Sequence, residues 1–369
     1  MTRVLHVADS MSSGVGAVVA DIVREHTSVE HEILAYSRSE DMQRRVSGCA
    51  TTIRGSRLSV ALHALRRAAS GEYDVFHFHG VRSSYVRPLV KLLGAKVAYS
   101  PHGYGFLYED IPQWARTAVR TGERVLARFT DSVVAVGASE ALQAQMASTW
   151  PKATVLPHAA TSSASGARTE PNLVVTSGRI VPQKGPDIFE EIAVGLEDRA
   201  TCVWVGDVDP HAPVGAGADG QPTLSEYKTG WLPPDVALSW LAAATVYLHT
   251  ARWDGFPVVV CEAADLGVPV LVLETDSVRQ DLPCELLFDS AADAAARVAR
   301  CISDVGYRAH LVDVTTDWRR ESLAARARQL PELYTFEGGT NRSGNAGNGR
   351  RFLPNREQVV TYSGVMDEA

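Results

Sequence analysis

Hydrophobic positions along the chain fall into short, nearly continuous runs that alternate with longer stretches of mixed polarity. Runs such as Arg3–Ala8, Val75–His79 and Leu173–Ser177 contain few polar residues, which is typical of strands buried on both faces of a parallel sheet. The intervening stretches, such as 58–69 and 114–129, carry apolar residues at helical spacing. Because strands and helices alternate, the pattern predicts β-α-β units and an α/β fold.

The alternation pauses once, over the small and polar residues 161–171, and then starts again. Such a stretch is typical of a linker, so we predict an N-terminal domain over 1–160 and a C-terminal domain over 172–315. Each domain is expected to be a doubly wound, Rossmann-like parallel sheet. A last helix over 316–335 is expected to return to the first domain. Residues 336–369 include a low-complexity run and are expected to be disordered.

Composition narrows the class of protein. With 369 residues, of which 45% are hydrophobic, the chain is long enough for two cores. The longest apolar candidate for a membrane span, 257–273, is interrupted by Glu262 and Asp265. The five cysteines contain no C-x-x-C pair, which argues against a disulfide scaffold or a structural zinc site. We therefore expect a cytoplasmic protein.

The net charge of −7 is unevenly distributed. Residues 51–128 carry 12 Lys and Arg against 5 Asp and Glu. Every fourth position of one predicted helix is arginine, which places Arg116, Arg120, Arg124 and Arg128 on one face. This stripe is either a solvated face or a surface for anionic lipid or a phosphorylated acceptor. Nucleic acid is not expected as a partner, because no recognition motif accompanies the stripe.

A glycine-containing turn follows the first predicted strand. Gly14 and Gly16 lie where the strand passes into the first helix, so the backbone and the helix N-terminus could face a phosphate. The dinucleotide fingerprint G-x-G-x-x-G is incomplete, since Val19 stands at its third position. The sequence therefore argues against a dinucleotide-dependent oxidoreductase, and an ordinary tight turn stays open as the alternative.

Two cations stand five residues apart after the first strand of the second domain. Arg179 and Lys184 are flanked by Gly178 and Gly185, and a guanidinium with an ammonium suits the oxygens of a pyrophosphate. In nucleotide-sugar chemistry the leaving group is a nucleoside diphosphate, whose developing charge needs such donors. The alternative is a solvated loop with incidental charges.

The segment 253–263 combines two carboxylates with a run of valines. The valines suit a strand, whereas Pro257 at a first helical position and the small residues after it allow a helix. In a helix, Asp254 would lie in the preceding loop and Glu262 inside the helix, with free backbone N–H groups facing a cleft. The carboxylates would then orient sugar and ribose hydroxyls without attacking them.

These segments together resemble the retaining glycosyltransferases of family 4, which have the GT-B fold. The most specific matches are RIVPQKGPD at 179–187 and WDGFPVVVCEAADLGVPV at 253–270. Weaker matches are GVGAVVADIV at 14–23, DVFHFHG at 74–80, YSPHGYGF at 99–106 and ASEAL at 138–142. The resemblance extends over roughly residues 1–335. YSPHGYGF is most similar to members that build extracellular and capsular polysaccharides.

The resemblance implies a role for each matching residue. Gly14 and Gly16 would line the loop that faces the donor phosphate and the acceptor, and His102 would lie near the transferred sugar. Arg179 and Lys184 would hold the diphosphate. The remaining predicted contacts are Asp254 beside the sugar, Phe256, Pro257 and Val258 over its hydroxyls, Glu262 on the ribose, and Trp231 with Leu232 along the nucleobase.

Two positions depart from the family pattern. Asp254 stands where the family usually has glutamate, which keeps the charge but shortens its reach and so bears on the choice of sugar. His158, between Pro157 and Ala159, replaces the asparagine of the usual P-N-G. We expect this second change to affect the interdomain turn alone.

Two further patterns suggest metals. Asp207 and Asp209 form the D-x-D that binds a divalent metal in the other large glycosyltransferase fold, but their place after the second strand of this domain favours a loop role. His77 and His79 suit zinc, yet no third ligand is evident nearby. We therefore expect neither a metal nor a cofactor.

The resemblance implies a metal-independent enzyme that transfers a sugar, with retention, from a UDP- or GDP-linked donor. The acceptor would be a glycan, a lipid-linked intermediate or a small molecule, in the biosynthesis of a cell-surface polysaccharide or glycoconjugate. The donor would bind the second domain and the acceptor the first. The basic charge of the N-terminal domain, and not the resemblance, suggests peripheral contact with the inner membrane face. Two alternatives stay open, a nucleotide-sugar 2-epimerase and a non-catalytic nucleotide-sugar-binding relative.

Overall fold

The computed structural model contains two parallel sheets, one of seven strands and one of five. It describes residues 1–336, apart from Ser10, Ser12, Gly55, Glu197 and the segments 37–48, 148–151, 162–170 and 209–226. The linker predicted over 161–171 and the tail predicted over 336–369 therefore lie almost entirely outside the described residues. The predicted architecture of two doubly wound α/β domains is confirmed.

The first sheet has the strand order β3-β2-β1-β4-β5-β6-β7. Its strands are β1 (Arg3–Ala8), β2 (Glu30–Tyr36), β3 (Ala50–Arg54), β4 (Val75–His79), β5 (Lys96–Ser100), β6 (Ser132–Ala135) and β7 (Lys152–Val155). The helices around it are α1 (Ser13–Glu25), α2 (Arg57–Ser70), α3 (Arg87–Leu92), α4 (Gln113–Ala127) and α5 (Ala138–Ala147). Strands β1, β4 and β5 are almost fully buried, as their continuous apolar runs predicted.

The second sheet has the order β12-β11-β10-β8-β9. Its strands are β8 (Leu173–Ser177), β9 (Thr201–Val205), β10 (Val246–His249), β11 (Val270–Leu273) and β12 (Leu287–Phe288). Its helices are α6 (Pro186–Gly195), α7 (Pro234–Ala243), α8 (Val258–Asp265), α9 (Ala291–Ser303) and α10 (Val305–Gln329). Short 3₁₀ turns occupy Ser83–Val86, Gly105–Leu107, Pro182–Lys184, Cys284–Leu286 and Leu330–Glu332.

The order of each sheet determines where a ligand can enter. The order reverses between β1 and β4 in the first sheet and between β8 and β10 in the second. At such a switch point the loops at the carboxyl ends of the strands diverge and leave a crevice. The segments that contain Gly14, Arg179 with Lys184, and Asp254 follow β1, β8 and β10. His102 follows β5, the neighbour of β4, so the fold brings these segments to the carboxyl ends of the sheets.

Three elements differ from the sequence-based expectation. The ambiguous valine run forms helix α8, and Pro257 is its N-cap instead of its first helical residue. The sequence pattern predicts one helix over 83–93, but this segment divides into a 3₁₀ turn and α3, where Pro88 lacks the N–H needed to continue one helix. Helix α10 begins at Val305, well before the predicted start at 316.

Helix α10 contacts residues of both domains. The guanidinium of Arg319 donates to the Asp265 carboxylate at 2.8 and 2.9 Å and to the carbonyl oxygen of His158 at 3.0 Å. About two helical turns later, Arg326 donates from Nε to the Glu25 carboxylate at 2.7 Å. Both arginines are almost fully buried.

All described helices are too short or too polar to cross a bilayer.

A carboxylate of the second domain caps a helix of the first. Asp281 accepts hydrogen bonds from the backbone N–H groups of Ala138 and Ser139, which open helix α5. A β-carbon at Gly137 would overlap this carboxylate, so glycine is needed just before the helix. The N-terminal N–H groups of α5 are thus satisfied from the other side of the interdomain boundary.

Candidate functional site

A cleft of about 510 Å³ lies between the carboxyl ends of the two sheets. Its walls include α1, the loop after β5, the loop after β8 and the N-terminus of α8. The predicted site residues that line it are Gly14, His102, Arg179, Lys184, Trp231, Leu232, Asp254, Phe256, Pro257, Val258 and Glu262. The structure therefore brings together nearly all of the candidates, although they are distributed over most of the chain.

Gly16 is the predicted site residue that is not part of this lining. A β-carbon at Gly16 would overlap the carbonyl oxygen of Met11, so the absence of a side chain allows α1 to pack closely against the turn before it. Gly14 differs, since a β-carbon there would only touch Val258 at 3.4 Å across the cleft.

The loop after β8 holds Lys184 in place. The chain passes through a 3₁₀ turn and reaches Gly185 at φ 64°, where a β-carbon would overlap the carbonyl oxygen of Thr250. The Thr250 hydroxyl donates to the Lys184 carbonyl at 2.8 Å. The Lys184 ammonium forms an ion pair with the carboxylate of Asp254. These contacts fix a cation at the cleft wall, in reach of an anionic ligand.

Asp254 and α8 form the adjoining part of the wall. Asp254 lies in the loop before the helix and Glu262 lies within it, as the helical interpretation required. Pro257, at the N-cap, has no side-chain acceptor for the first N–H groups of α8. Carboxylates and backbone donors therefore lie side by side, which suits the hydroxyls of a sugar and a ribose. Trp231 is 58% exposed and leaves a ring face open for stacking.

His102 faces this wall from the first domain. Its φ of 54° is in the left-handed region, which is uncommon for a side chain with a β-carbon. The next residue, Gly103, is so close to the other domain that a β-carbon would lie 2.9 Å from the backbone nitrogen of Gly255. Burial lowers the pKa of His102 to about 3. The imidazole at the cleft is therefore neutral.

Glu140 is a residue of the site that the sequence analysis did not single out. Its buried carboxyl accepts from the N–H of Gly103 at 2.7 Å and from the N–H of Val136 at 2.9 Å. Burial raises its pKa to about 7, against the two N–H donors, which favour the charged form. Glu140 thus secures the backbone turn that carries His102. In the sequence, Glu140 lies within the ASEAL segment at 138–142, which indicated a family resemblance but no role for this glutamate.

His158 was expected to affect the interdomain turn alone, and the structure corrects this. Its ring lines the cleft, and Nε2 donates to the carbonyl oxygen of Phe256 at 2.7 Å. Burial lowers its pKa to about 4, so the ring is neutral. The departure from P-N-G therefore affects the loop that precedes α8.

The histidine pair of β4 has a neighbour that the sequence did not suggest. His6 lies beside His77 and His79, with one nitrogen from each ring within 4.8 Å of the others. Three imidazoles in this arrangement are a possible cation site, contrary to the expectation that no third ligand is nearby. All six of their ring nitrogens, however, already have hydrogen-bond partners within the protein.

The D-x-D pair has only one described member. The Asp207 carboxylate accepts from the Lys228 ammonium at 2.6 Å, and this hydrogen bond lowers its pKa. Asp209 lies outside the described residues. The contact of Asp207 is compatible with the loop role predicted for it.

The arginine stripe of α4 is partly engaged with the protein itself. Arg116 donates to the carbonyl oxygen of Phe106 at 3.2 Å, and the Arg120 guanidinium lies 4.9 Å from the centre of the Phe106 ring. Arg124 donates to the carbonyl oxygen of Ala147 at 2.9 Å. A role of this stripe at a membrane stays a prediction.

Comparison with known proteins gives one family match. The family model described as "Glycosyl transferases group 1" matches residues 171–304, which contain the loop of Arg179 and Lys184 and the Asp254–Glu262 segment. This match confirms the resemblance of the second domain to group 1 glycosyltransferases, and retention of configuration stays a prediction.

Two relatives and one solved structure show what the chain is similar to. An uncharacterized 41.2 kDa protein in the cps region of Klebsiella pneumoniae is 23% identical over 73% of this chain and 80% of its own length. The putative teichuronic acid biosynthesis glycosyltransferase TuaC of Bacillus subtilis is 29% identical over 31% of this chain and 27% of its own. A crystal structure of Anabaena Alr3699/HepE with UDP and glucose superposes with a TM-score of 0.70 at 14% identity, covering 91% of this chain and 100% of that one. This last similarity supports the GT-B fold.

Proposed function

We propose that this chain, which carries a domain of the glycosyl transferases group 1 family in a GT-B fold, is a retaining transferase that uses a nucleoside diphosphate sugar without a metal. The observation that supports this most directly is the composition of the cleft. Arg179, Lys184, Asp254 and Glu262 line one wall, and the neutral His102 lines the other. The second domain thus contributes cations that suit a diphosphate and carboxylates that suit sugar and ribose hydroxyls, and the first domain contributes an uncharged ring.

The donor is held by the second domain. Arg179 and Lys184 bind the diphosphate, Glu262 accepts from the ribose hydroxyls, and Trp231 lies against the base. We propose UDP as the first nucleotide to test, because the Anabaena protein of the same fold was crystallised with UDP. GDP is the second.

Transfer proceeds on one face of the sugar. The bond between the anomeric carbon and the acceptor oxygen forms as the bond to the diphosphate oxygen breaks. The acceptor proton moves to that leaving oxygen, so no protein base is required. Lys184 and Arg179 stabilise the charge that develops on the diphosphate, where electrostatic stabilisation has the largest effect on rate.

The acceptor is a glycan or a lipid-linked intermediate of a cell-surface polysaccharide, held by the first domain. The cps-region relative and the teichuronic acid relative support this class of product. We further propose peripheral contact of this cytoplasmic enzyme with the inner membrane face. Helically spaced and exposed apolar side chains support it, namely Tyr85, Leu89, Leu92 and Leu93, within the basic segment 51–128.

The membrane proposal is tested by flotation with vesicles. The full chain should float with vesicles containing anionic phospholipid, and Leu92→Glu should weaken flotation, because a carboxylate opposes both burial and the negative surface. Equal recovery of both proteins with anionic and neutral vesicles would contradict the contact.

The donor and the stereochemistry are tested with the full chain and a panel of UDP- and GDP-sugars. A nucleotide that binds only the folded state raises the midpoint of thermal unfolding. Slow hydrolysis of the preferred donor, followed by proton NMR, should first release the sugar in the anomeric configuration of the donor. EDTA should leave the rate unchanged.

Four results would overturn parts of this proposal. No thermal shift with any nucleotide argues against nucleotide-sugar binding, and inverted product argues against retention. Loss of activity in EDTA with recovery in manganese assigns a metal. Conversion of UDP-N-acetylglucosamine to its 2-epimer without an acceptor identifies an epimerase.

A further inference from the structure

Four imidazoles form a continuous series of hydrogen bonds that leads from the cleft into the first sheet. His102 Nε2 lies 3.1 Å from His79 Nδ1, and His79 Nε2 lies 2.9 Å from His6 Nδ1. His6 Nε2 lies 2.9 Å from His31 Nδ1. The series passes from the loop after β5 to the end of β4, across β1 and onto the beginning of β2. We call these four residues the histidine chain.

At the inner end of the histidine chain, the direction in which hydrogen bonds are donated is fixed. His31 Nε2 lies 2.9 Å from the carbonyl oxygen of His26. A carbonyl oxygen can only accept, so His31 Nε2 must carry the hydrogen. Because a neutral imidazole has a single N–H, His31 Nδ1 must be an acceptor.

This direction passes from ring to ring. His6 must donate from Nε2 to His31, which leaves His6 Nδ1 as an acceptor. His79 must then donate from Nε2 to His6, which leaves His79 Nδ1 as an acceptor. His102 must donate from Nε2 to His79, and its own Nδ1 carries no hydrogen.

All four rings of the histidine chain are neutral, because burial lowers the pKa of each. Burial lowers the pKa of His6 and His79 well below the ordinary histidine value and that of His102 to about 3. Burial also lowers the pKa of His31, which lies nearer the surface. An imidazolium with two N–H groups would break the single direction of donation.

We propose that His79, His6 and His31 are positioning residues that hold His102 as the Nε2–H tautomer and leave its unprotonated Nδ1 as a hydrogen-bond acceptor for a hydroxyl in the cleft. His102 lines the cleft, and Nδ1 is the ring nitrogen turned away from His79. The opposite tautomer would present an N–H there and would require a lone pair from the ligand. That the hydroxyl belongs to a sugar rests on the proposed function, whereas the tautomer does not.

His77 offers a matched control inside the same cluster. Its ring centre lies 4.0 Å from that of His79, yet its hydrogen bonds go elsewhere. Ser100 donates its hydroxyl hydrogen to the Val134 carbonyl at 2.8 Å and so accepts from His77 Nε2. His77 Nδ1 accepts from the Tyr334 hydroxyl at 3.0 Å. His77 is therefore equally buried but lies outside the histidine chain.

The direct test is nitrogen-15 NMR of the full chain with labelled histidine side chains. The protonated and unprotonated ring nitrogens have well separated shifts, so each tautomer is identified from long-range proton–nitrogen correlations, with assignment by single substitution. His102 is expected as the Nε2–H tautomer, together with His79, His6 and His31. An Nδ1–H tautomer at His102, or two tautomers in comparable amounts, would overturn the proposal without any variant. Stoichiometric zinc bound by His6, His77 and His79 in the purified chain would overturn it as well.

Variants then test whether the histidine chain affects the rate of turnover through His102. His79→Leu removes the hydrogen-bond acceptor of His102, so we expect a second tautomer of His102 to appear. We also expect turnover to fall about tenfold, which is typical when a partner that orients a site residue is removed. His79→Asn, which can place an amide oxygen near the position of Nδ1, should restore both. His77→Leu should change neither.

The outcomes separate this proposal from the proposed function. Equal loss of turnover in His77→Leu and His79→Leu, with no change at His102, would mean that the cluster is only structural. If no sugar transfer is found at all, the proposed function fails, while the NMR spectrum still decides the tautomer, because it needs no substrate.

Discussion

The two walls of the cleft differ in the kind of polarity they offer. The wall from the second domain carries Lys184 and Asp254 as a charged pair, 18% and 23% exposed, with Arg179 beside them. The wall from the first domain carries His102, a neutral ring on a turn secured by the buried Glu140. The charged side chains are therefore on the second-domain wall, and the first-domain wall offers a neutral hydrogen-bonding ring.

The difference follows from where each wall originates. The charged groups stand on a loop and at a helix N-terminus, where water and backbone dipoles stabilise charge. The groups behind His102 stand on β1 and β4 inside the first sheet, where desolvation keeps imidazoles uncharged. In the proposed function the second domain therefore binds the diphosphate through charged groups, and the first domain adds an uncharged hydrogen-bonding ring.

The largest expected effect is on the charged wall. Lys184→Ala should lower kcat by roughly 10²-fold or more, because one preorganised donor to the leaving group is lost. The measurement is the initial rate of nucleoside diphosphate release. Lys228→Ala is the matched control, since Lys228 also pairs with a single aspartate of the second domain but does not line the cleft. Comparable rates in the two variants would contradict the assignment of Lys184.

The second effect concerns the contact between the walls. Gly103→Ala should lower turnover by roughly 10-fold to 10²-fold, because the β-carbon would push the His102 turn away from Gly255 and misplace it. Gly103 also has φ 97°, which alanine tolerates poorly. Gly105→Ala is the control, since a β-carbon there would meet only Val119 at 3.5 Å. Full activity of Gly103→Ala would show that the close approach is dispensable.

The third effect is a pH dependence of stability on the neutral wall. The pKa of Glu140 is raised to about 7, so the folded state holds a proton more tightly than the unfolded chain does. Its contribution to the free energy of unfolding is therefore largest below its ordinary pKa and declines as pH rises toward 7, by on the order of 3 kcal/mol.

Glu140→Gln removes this titration. The difference in unfolding free energy between wild type and variant, measured in denaturant from pH 4.5 to 8, should decrease as pH rises and level off above pH 7. The buried histidines titrate in both proteins and cancel in the difference. A difference independent of pH would refute the raised pKa.

The smallest effect concerns the donor sugar. Asp254→Glu restores the residue usual in the resembled family and adds one methylene at the charged wall. We expect the ratio of kcat/KM between two donor sugars to change by about tenfold or less, the scale of one methylene in a pocket. If Asp254→Glu leaves the ratio of kcat/KM between the two sugars unchanged, Asp254 does not contribute to the choice of sugar and acts only as the ion-pair partner of Lys184.

Much of the site could be predicted from the sequence, because its charged wall consists of local segments. Arg179 and Lys184 share one loop, and Asp254 and Glu262 flank one helix start, so short motifs contain the necessary spacing. The fold class followed similarly from buried apolar runs alternating with helices. The edge strands β3 and β7 were missed, since their short and partly polar segments give little periodic signal.

The neutral wall could not be predicted in the same way, because it depends on the register of distant strands. His6 stands opposite His77, and His79 opposite Ala8, only once β1 and β4 pair in parallel. Glu140 reaches Gly103 across 37 residues of chain. The sequence marks His77 and His79 only as a pair of histidines, and the pairing of the strands is needed to reveal His6 beside them.

The cap that Asp281 places on α5 provides a way to observe relative motion of the two domains. Because the carboxylate and the helix belong to different domains, any rotation that widens the cleft uncovers the amides of Ala138 and Ser139 to solvent. Their hydrogen exchange should accelerate with each excursion and slow when a donor holds the domains together. Two backbone amides that are not part of the cleft lining are thus an intrinsic reporter of how often the cleft opens.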